Sequence, residues 1–149
     1  MITKLITNSF LETQKFGEDF AKSLKGGEVI ALYGDLGSGK TTFVQGLAKG
    51  LGIDQRIISP TFIIMRTYEL TNTVVKKFYH VDLYRIETEH DVEGLGLLEL
   101  MHDPQNIVVI EWPEKLENLL PDNRIDFVFR YLGDDQREII KESSNMSYH

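Results

Sequence analysis

The chain has 149 residues, 42% of them hydrophobic and 26% charged, a balance that suits one soluble globular domain and excludes an intrinsically disordered chain. Sixteen basic residues against 23 acidic ones give a net charge of −7, the wrong sign for a protein that grips a phosphate backbone unaided. With no cysteine in the chain, disulfides, thiolate nucleophiles and Cys-based zinc sites are excluded as well.

Ser9 and Glu12 stand at capping-box spacing, and Phe10, Thr13, Phe16, Gly17, Phe20, Ala21 and Leu24 follow at helical intervals up to Gly26-Gly27. This pattern predicts a first helix over 10–24. The apolar run 28–33 predicts a strand, and Phe43, Val44, Leu47, Ala48 and Leu51 predict a helix that Gly52 closes. A short strand is expected ahead of Ser59. Residues 62–70 and 74–83 both favour strand and flank the polar Thr71-Asn72-Thr73, which predicts an antiparallel hairpin.

Across 89–101, Val92, Leu95, Leu98 and Met101 keep helical spacing, while Gly94 and Gly96 loosen the middle at a helix cost of about 1 kcal/mol each. The acidic Glu87, Glu89, Asp91 and Glu93 read as a solvated face, with an interaction surface as the alternative. The run 107–110 has no polar residue, as expected of a central strand buried on both faces. Pro113 opens a short helix over 114–120 that ends at Pro121. Strands over 125–132 and 138–141 follow, joined at Gly133-Asp134, and 142–149 reads as a disordered tail beyond a single domain over 1–141. The longest apolar runs are strand-sized and the first residues lack a signal-peptide pattern, so no membrane association and a cytoplasmic location are expected.

Gly34-Asp35-Leu36-Gly37-Ser38-Gly39-Lys40-Thr41 satisfies the phosphate-loop pattern G-x-x-x-x-G-K-[ST] at every fixed position, after a strand and opening a helix. The spacing has a mechanical reason. Glycines let the backbone curl until its N–H groups converge on phosphates, the helix N-terminus adds partial positive charge, Lys40 reaches the terminal phosphates and the Thr41 hydroxyl ligates magnesium.

Such a site also needs acidic groups for the metal and a group that positions water or acceptor. Glu111 directly follows the apolar 107–110 and Asp82 ends the run 78–81, each at a strand's carboxyl end. For either one the alternative is a strand-end carboxylate bonded to a backbone N–H or to solvent. Pro60 biases Ser59 toward an extended conformation, and Thr61 reads either as a switch residue sensing metal and terminal phosphate or as an ordinary turn hydroxyl. His80 reads as a strand residue making a local hydrogen bond, in preference to a general base. Trp112 packs, or reports nucleotide state from its place beside Glu111.

Taken in order, the phosphate loop, Ser59-Pro60-Thr61-Phe62, His80-Val81-Asp82-Leu83-Tyr84-Arg85 and Glu111-Trp112-Pro113-Glu114 make a combination that resembles the bacterial TsaE (YjeE) family over about 9–140. The resemblance implies a P-loop NTPase fold of the α/β class, a three-layer sandwich whose central mixed sheet carries flanking helices and an antiparallel hairpin. It implies a small ATPase, of low activity without partners, required for threonylcarbamoyladenosine in tRNAs that read codons starting with A. ATP and Mg2+ are the implied cofactors. The implied partner is a TsaB–TsaD heterodimer, in which TsaD performs the carbamoyl transfer, and tRNA is met only through that complex.

Carried over residue by residue, the resemblance puts the nucleotide at Gly34, Asp35, Leu36, Gly37, Ser38, Gly39, Lys40, Thr41 and Thr42, with Thr13 and Arg137 approaching it. Magnesium falls to Thr41 and Glu111, and Asp82 becomes a catalytic or second metal-site carboxylate; Lys40, Asp82 and Glu111 form the catalytic set. Ser59, Thr61, Tyr84 and Trp112 fall to the switch and partner surface. The competing reading is a small-molecule P-loop kinase, which needs cationic groups over the transferring phosphoryl. The six arginines, at 56, 66, 85, 124, 130 and 137, do not cluster in the sequence like a lid. A signalling GTPase is disfavoured by the lack of an Asn-Lys-x-Asp motif.

Overall fold

Ser9 starts the first helix, α1 (Phe10–Ala21), in the computed structural model, which describes residues 2–57, 64–71, 74–88 and 90–143, Glu117 by its backbone alone. Its Oγ accepts the Glu12 N–H at 3.1 Å. The Glu12 carboxylate reaches back to the N–H of Asn8 at 2.8 Å, one residue before the cap, so the box closes in a widened form. The helix stops at Ala21, short of the predicted Leu24.

A strand that the sequence did not announce precedes it. In β1 (Ile2–Thr7) five of the six side chains are exposed, so no alternation between a wet and a dry face marks it. Next come β2 (Val29–Tyr33), α2 (Lys40–Gly50), β3 (Met65–Glu69) and β4 (Lys77–Asp82). Residues 53–57 form no strand, and the rest of the stretch where a short strand is expected ahead of Ser59 lies outside the described residues, as do Ser59 and Thr61. The predicted helix over 89–101 is two short ones, α3 (His90–Glu93) and α4 (Leu97–Met101), broken at the glycines that lowered its propensity.

Then β5 (Asn106–Glu111) is buried at every position. The helix expected over 114–120 is instead two 3-10 turns, Pro113–Lys115 and Glu117–Leu119. Finally β6 (Ile125–Gly133) and β7 (Gln136–Ser143) form an antiparallel hairpin. The strand β7 takes in Glu142 and Ser143, which the sequence reading had assigned to the tail.

The seven strands make one mixed sheet in the order β1-β7-β6-β2-β5-β4-β3. Its centre is parallel, with β2 between β6 and β5 and with β4 beside β5, while both edges are antiparallel. One face carries Ile30, Leu32, Val109, Phe127 and Phe129 against Phe20 of α1 and Phe43, Val44 and Leu47 of α2. The other carries Val29, Val81, Val108 and Ile110 against Val92, Leu97 and Met101. These are the two cores of a three-layer α/β sandwich.

Two glycines set how α1 meets α2. A Cβ on Gly46 would collide with the Gln14 carbonyl, and one on Gly17 with the Phe43 carbonyl, so the two helix backbones touch directly. The contact fixes α2, and with it Lys40 at its first turn, against the sheet.

Candidate active site

The loop after β2 turns through left-handed positions at Gly37 (φ 78°) and Gly39 (φ 106°), the latter serving as N-cap of α2. Residues with a Cβ rarely hold such angles. Lys40, the first residue of α2, points back across the loop, and its ammonium donates to the Gly34 carbonyl at 2.5 Å. Burial pushes its pKa below the usual lysine value, an effect that nearby Glu111, Asp82, Glu114 and Asp35 partly offset.

Parallel pairing aligns Asp82, the last residue of β4, with Glu111, the last of β5, so both carboxylates leave the carboxyl ends of neighbouring strands on one face. Glu111 is 3% exposed, and its Oε2 lies 2.6 Å from Nε2 of the fully buried His80. The bond of His80 is thus a long-range one, not the local bond expected of it. Asp82 accepts the Tyr84 N–H at 3.0 Å through Oδ1. Its own N–H donates to the Ile64 carbonyl at 2.7 Å.

A cleft of about 280 Å³ opens between the loop and these strand ends. Leu36, Gly37, Gly39, Lys40, Thr41 and Thr42 line it from the loop side, and Asp82, Tyr84, Glu111 and Trp112 from the sheet. Arg137, far away in sequence, lines it too, its guanidinium donating to the carbonyls of Asp134 (3.0 Å) and Gln136 (2.9 Å). Gly34, Asp35 and Ser38 instead line a depression on the β6 side of the loop.

Thr13 is not brought into the cleft. It is buried, with its hydroxyl 2.6 Å from that of Thr7 on β1, a contact that the sequence reading could not include without knowing of β1. Phe10 lines the cleft and was not singled out. Its one signal would have been a large apolar side chain, here 57% exposed, at the start of an amphipathic helix, and exposure is not written in sequence.

Among the described residues no three His, Asp or Glu side chains converge as an all-protein metal cage. The side-chain oxygens among the cleft's lining residues are the hydroxyls of Thr41, Thr42 and Tyr84 and the carboxylates of Glu111 and Asp82. That set fits magnesium, which is commonly held by one or two protein oxygens while phosphate oxygens and waters complete its octahedron.

The family model of the threonylcarbamoyl adenosine biosynthesis protein TsaE matches residues 7–139. The chain is 44% identical over 128 residues to the tRNA threonylcarbamoyladenosine biosynthesis protein TsaE of Bacillus subtilis, an overlap of 86% of this chain and 77% of that one. To the protein of the same name from Rickettsia bellii it is 38% identical over 136 residues, 91% of each chain. The crystal structure of Bacillus subtilis YdiB matches with a TM-score of 0.81 at 36% identity, covering 99% of this chain and 89% of that one.

Proposed function

Because the chain belongs to the TsaE family, we propose that it is a magnesium-dependent ATPase that serves tRNA threonylcarbamoyladenosine biosynthesis together with a TsaB–TsaD heterodimer. The observation that carries this reading is the convergence of Lys40, Thr41, Asp82 and Glu111 on one cleft at the carboxyl ends of parallel strands. Open α/β sheets bind ligands at such a place.

In this reading the curled loop presents N–H groups of residues 37–42 to the phosphates, and Lys40 exchanges its Gly34 carbonyl for the terminal phosphate oxygens. Thr41 and Glu111 would hold magnesium, which when bound would neutralise charge on the phosphate oxygens. Asp82 stands beside Glu111 in register and orients the attacking water, its position fixed by the Tyr84 N–H. Arg137 approaches the nucleotide from β7.

The cleft favours hydrolysis over the kinase reading. Among the described residues, Arg137 is the one arginine that lines it, whereas phosphoryl transfer to an acceptor calls for several cations and a second pocket. Nor is there, among those residues, a helix long and apolar enough to cross a membrane.

A pull-down from cell lysate with the tagged chain tests the reading. Recovery of the TsaB–TsaD pair with ATP present, and much less without it, is the expected result. Recovery of neither protein under both conditions, with a phosphorylated small molecule formed instead, would move the assignment to a kinase.

A further inference from the structure

We propose that His80 is a positioning residue for Glu111, its imidazole donating through Nε2 to Oε2 and so deciding which carboxylate oxygen is turned to the cleft. The proposal rests on the reading of Glu111 as the magnesium-side carboxylate.

Three observations carry it. The contact is short, 2.6 Å, and both side chains are withdrawn from solvent, at 0% and 4% exposure. Register explains how they meet: His80 pairs with Val109 while Asp82 pairs with Glu111, so the imidazole lies two residues back from the strands' carboxyl ends, on the carboxylates' own face. Thirdly, Nδ1 of His80 is buried and has no hydrogen-bond partner among the described residues. The polar contact of the ring is therefore the one to Glu111.

A buried polar ring with one nitrogen unsatisfied costs more than an apolar residue filling the same space. Its presence is understandable through what it does for the carboxylate. An ionised carboxylate accepts and never donates, so a withdrawn Glu111 needs donors aimed at it. His80 supplies one from below, through the tautomer that carries hydrogen on Nε2, and leaves the other oxygen for the cleft that Glu111 lines. Outer partners of this kind orient metal ligands, and their loss commonly weakens metal affinity 10–100-fold.

The test uses the full chain, with Mn2+ as an electron-paramagnetic probe and ADP as the nucleotide. Bound metal is counted in the wild type, Glu111→Gln, His80→Phe and His80→Gln, and ADP affinity is measured separately in EDTA. His80→Phe keeps the ring's size and loses the donor. It is expected to weaken Mn2+ binding roughly 10-fold or more while ADP affinity in EDTA stays within about twofold, as for two sites that share no contact. His80→Gln, whose amide nitrogen reaches about as far as Nε2, should recover most of the metal affinity.

Wild-type Mn2+ affinity in His80→Phe, or equal losses with and without metal, would overturn the proposal. Full loss in Glu111→Gln beside an unaffected His80→Phe would overturn the role of His80 alone. An unaffected Glu111→Gln would overturn the metal reading of Glu111, and the proposal with it. Should His80→Phe fail to fold, 15N-labelled wild type decides. A slowly exchanging Nε2–H of His80 that shifts on adding Mg2+ with ADP, but not with ADP in EDTA, supports the role, and its absence overturns it.

Discussion

The ammonium of Lys40 lies 4.2 Å from the ring centroid of Trp112, the residue that follows Glu111. Trp112 holds the left-handed conformation at φ 60°, uncommon for a bulky residue, and Tyr84 backs it with a ring 5.1 Å away. A lysine over an indole gains about 0.5–2 kcal/mol, more as water is excluded. In the proposed site, the phosphate oxygens would compete for the ammonium with this ring and with the Gly34 carbonyl.

Tryptophan emission should therefore report binding at the loop, because Trp112 is the only tryptophan in the sequence. Titrating ATP with magnesium into the wild type is expected to shift the emission in a saturable way. In Lys40→Met the starting spectrum should already differ and respond far less. If equilibrium dialysis shows ATP bound while the emission of Trp112 stays constant, the ring is not coupled to the lysine.

Lys40→Met should also separate stability from activity. The folded-state pKa of Lys40 is lowered, chiefly by burial, so at neutral pH the folded protein carries a cation that its surroundings disfavour. Here the unfolded chain binds more protons between the folded and unfolded pKa values, so the penalty is present below the folded value and vanishes as pH rises through that window toward 10.5. A neutral isostere removes it at every pH. Thermal melts at pH 7 should show Lys40→Met at least as stable as wild type, with ATP hydrolysis lost; a marked fall in Tm would mean that its contacts with the Gly34 carbonyl and the Trp112 ring outweigh its burial.

Much of this architecture could be read from the sequence, for identifiable reasons. The phosphate loop is local, eight consecutive residues whose backbone does the work, and Ile107 to Ile110 announce a doubly buried strand by their lack of polar residues. The glycines at 94 and 96 marked where α3 and α4 part. What escaped is set by tertiary pairing. The exposed edge strand β1 has no apolar face to show, and without it the Thr7–Thr13 contact is invisible. His80 and Glu111 lie 31 residues apart, and a parallel register between β4 and β5 joins them that no spacing along the chain encodes.

Asp82 and Glu111 should fail differently when neutralised. Glu111→Gln is expected to raise the magnesium concentration needed for half-maximal hydrolysis, since a metal-side oxygen is lost. Asp82→Asn should lower turnover by about 10²-fold or more, as for a lost positioned acid or base, with a smaller change in ATP affinity. A magnesium titration of each variant distinguishes them. Curves for both variants that match the wild type would place the metal's protein ligands elsewhere.

Gly46→Ala should damage the site from a distance. The added methyl group would meet the backbone carbonyl of Gln14, which cannot turn away as a side chain could, so α1 and α2 must separate. Overpacking of this kind costs about 1–3 kcal/mol, which for a chain of this size lowers Tm by roughly 2–4 °C per kcal/mol. Since Lys40 and Thr41 open α2, ATP affinity should fall as well. An unchanged Tm by calorimetry would show that the helix pair yields without strain.

The isolated protein should bind tRNA weakly. Counterion release makes affinity for a nucleic acid scale with the phosphates that Lys and Arg neutralise. This chain carries 16 basic residues against 23 acidic ones, and several of those bases are already occupied. Lys4 and Arg130 both pair with Glu138, Arg124 pairs with Asp126, and Arg137 bonds backbone carbonyls beside the cleft. If the TsaB–TsaD pair supplies the tRNA surface, its contact must sense the nucleotide, and Tyr84 is placed for that: it lines the cleft, is 42% exposed and sets its ring at a tilt against Trp112. Tyr84→Ala is accordingly expected to weaken ATP-dependent association with the pair several-fold more than it weakens ATP binding, as calorimetry on each step would show. Filter binding of the lone chain to tRNA should give a micromolar or weaker Kd at physiological salt, falling off steeply as salt rises, in the range of non-specific electrostatic contacts. Nanomolar binding to tRNA by the isolated protein, or association with TsaB–TsaD that ignores both nucleotide and Tyr84, would mean that the chain recognises its RNA directly and that the sparse positive charge is better placed than its pairing in the fold implies.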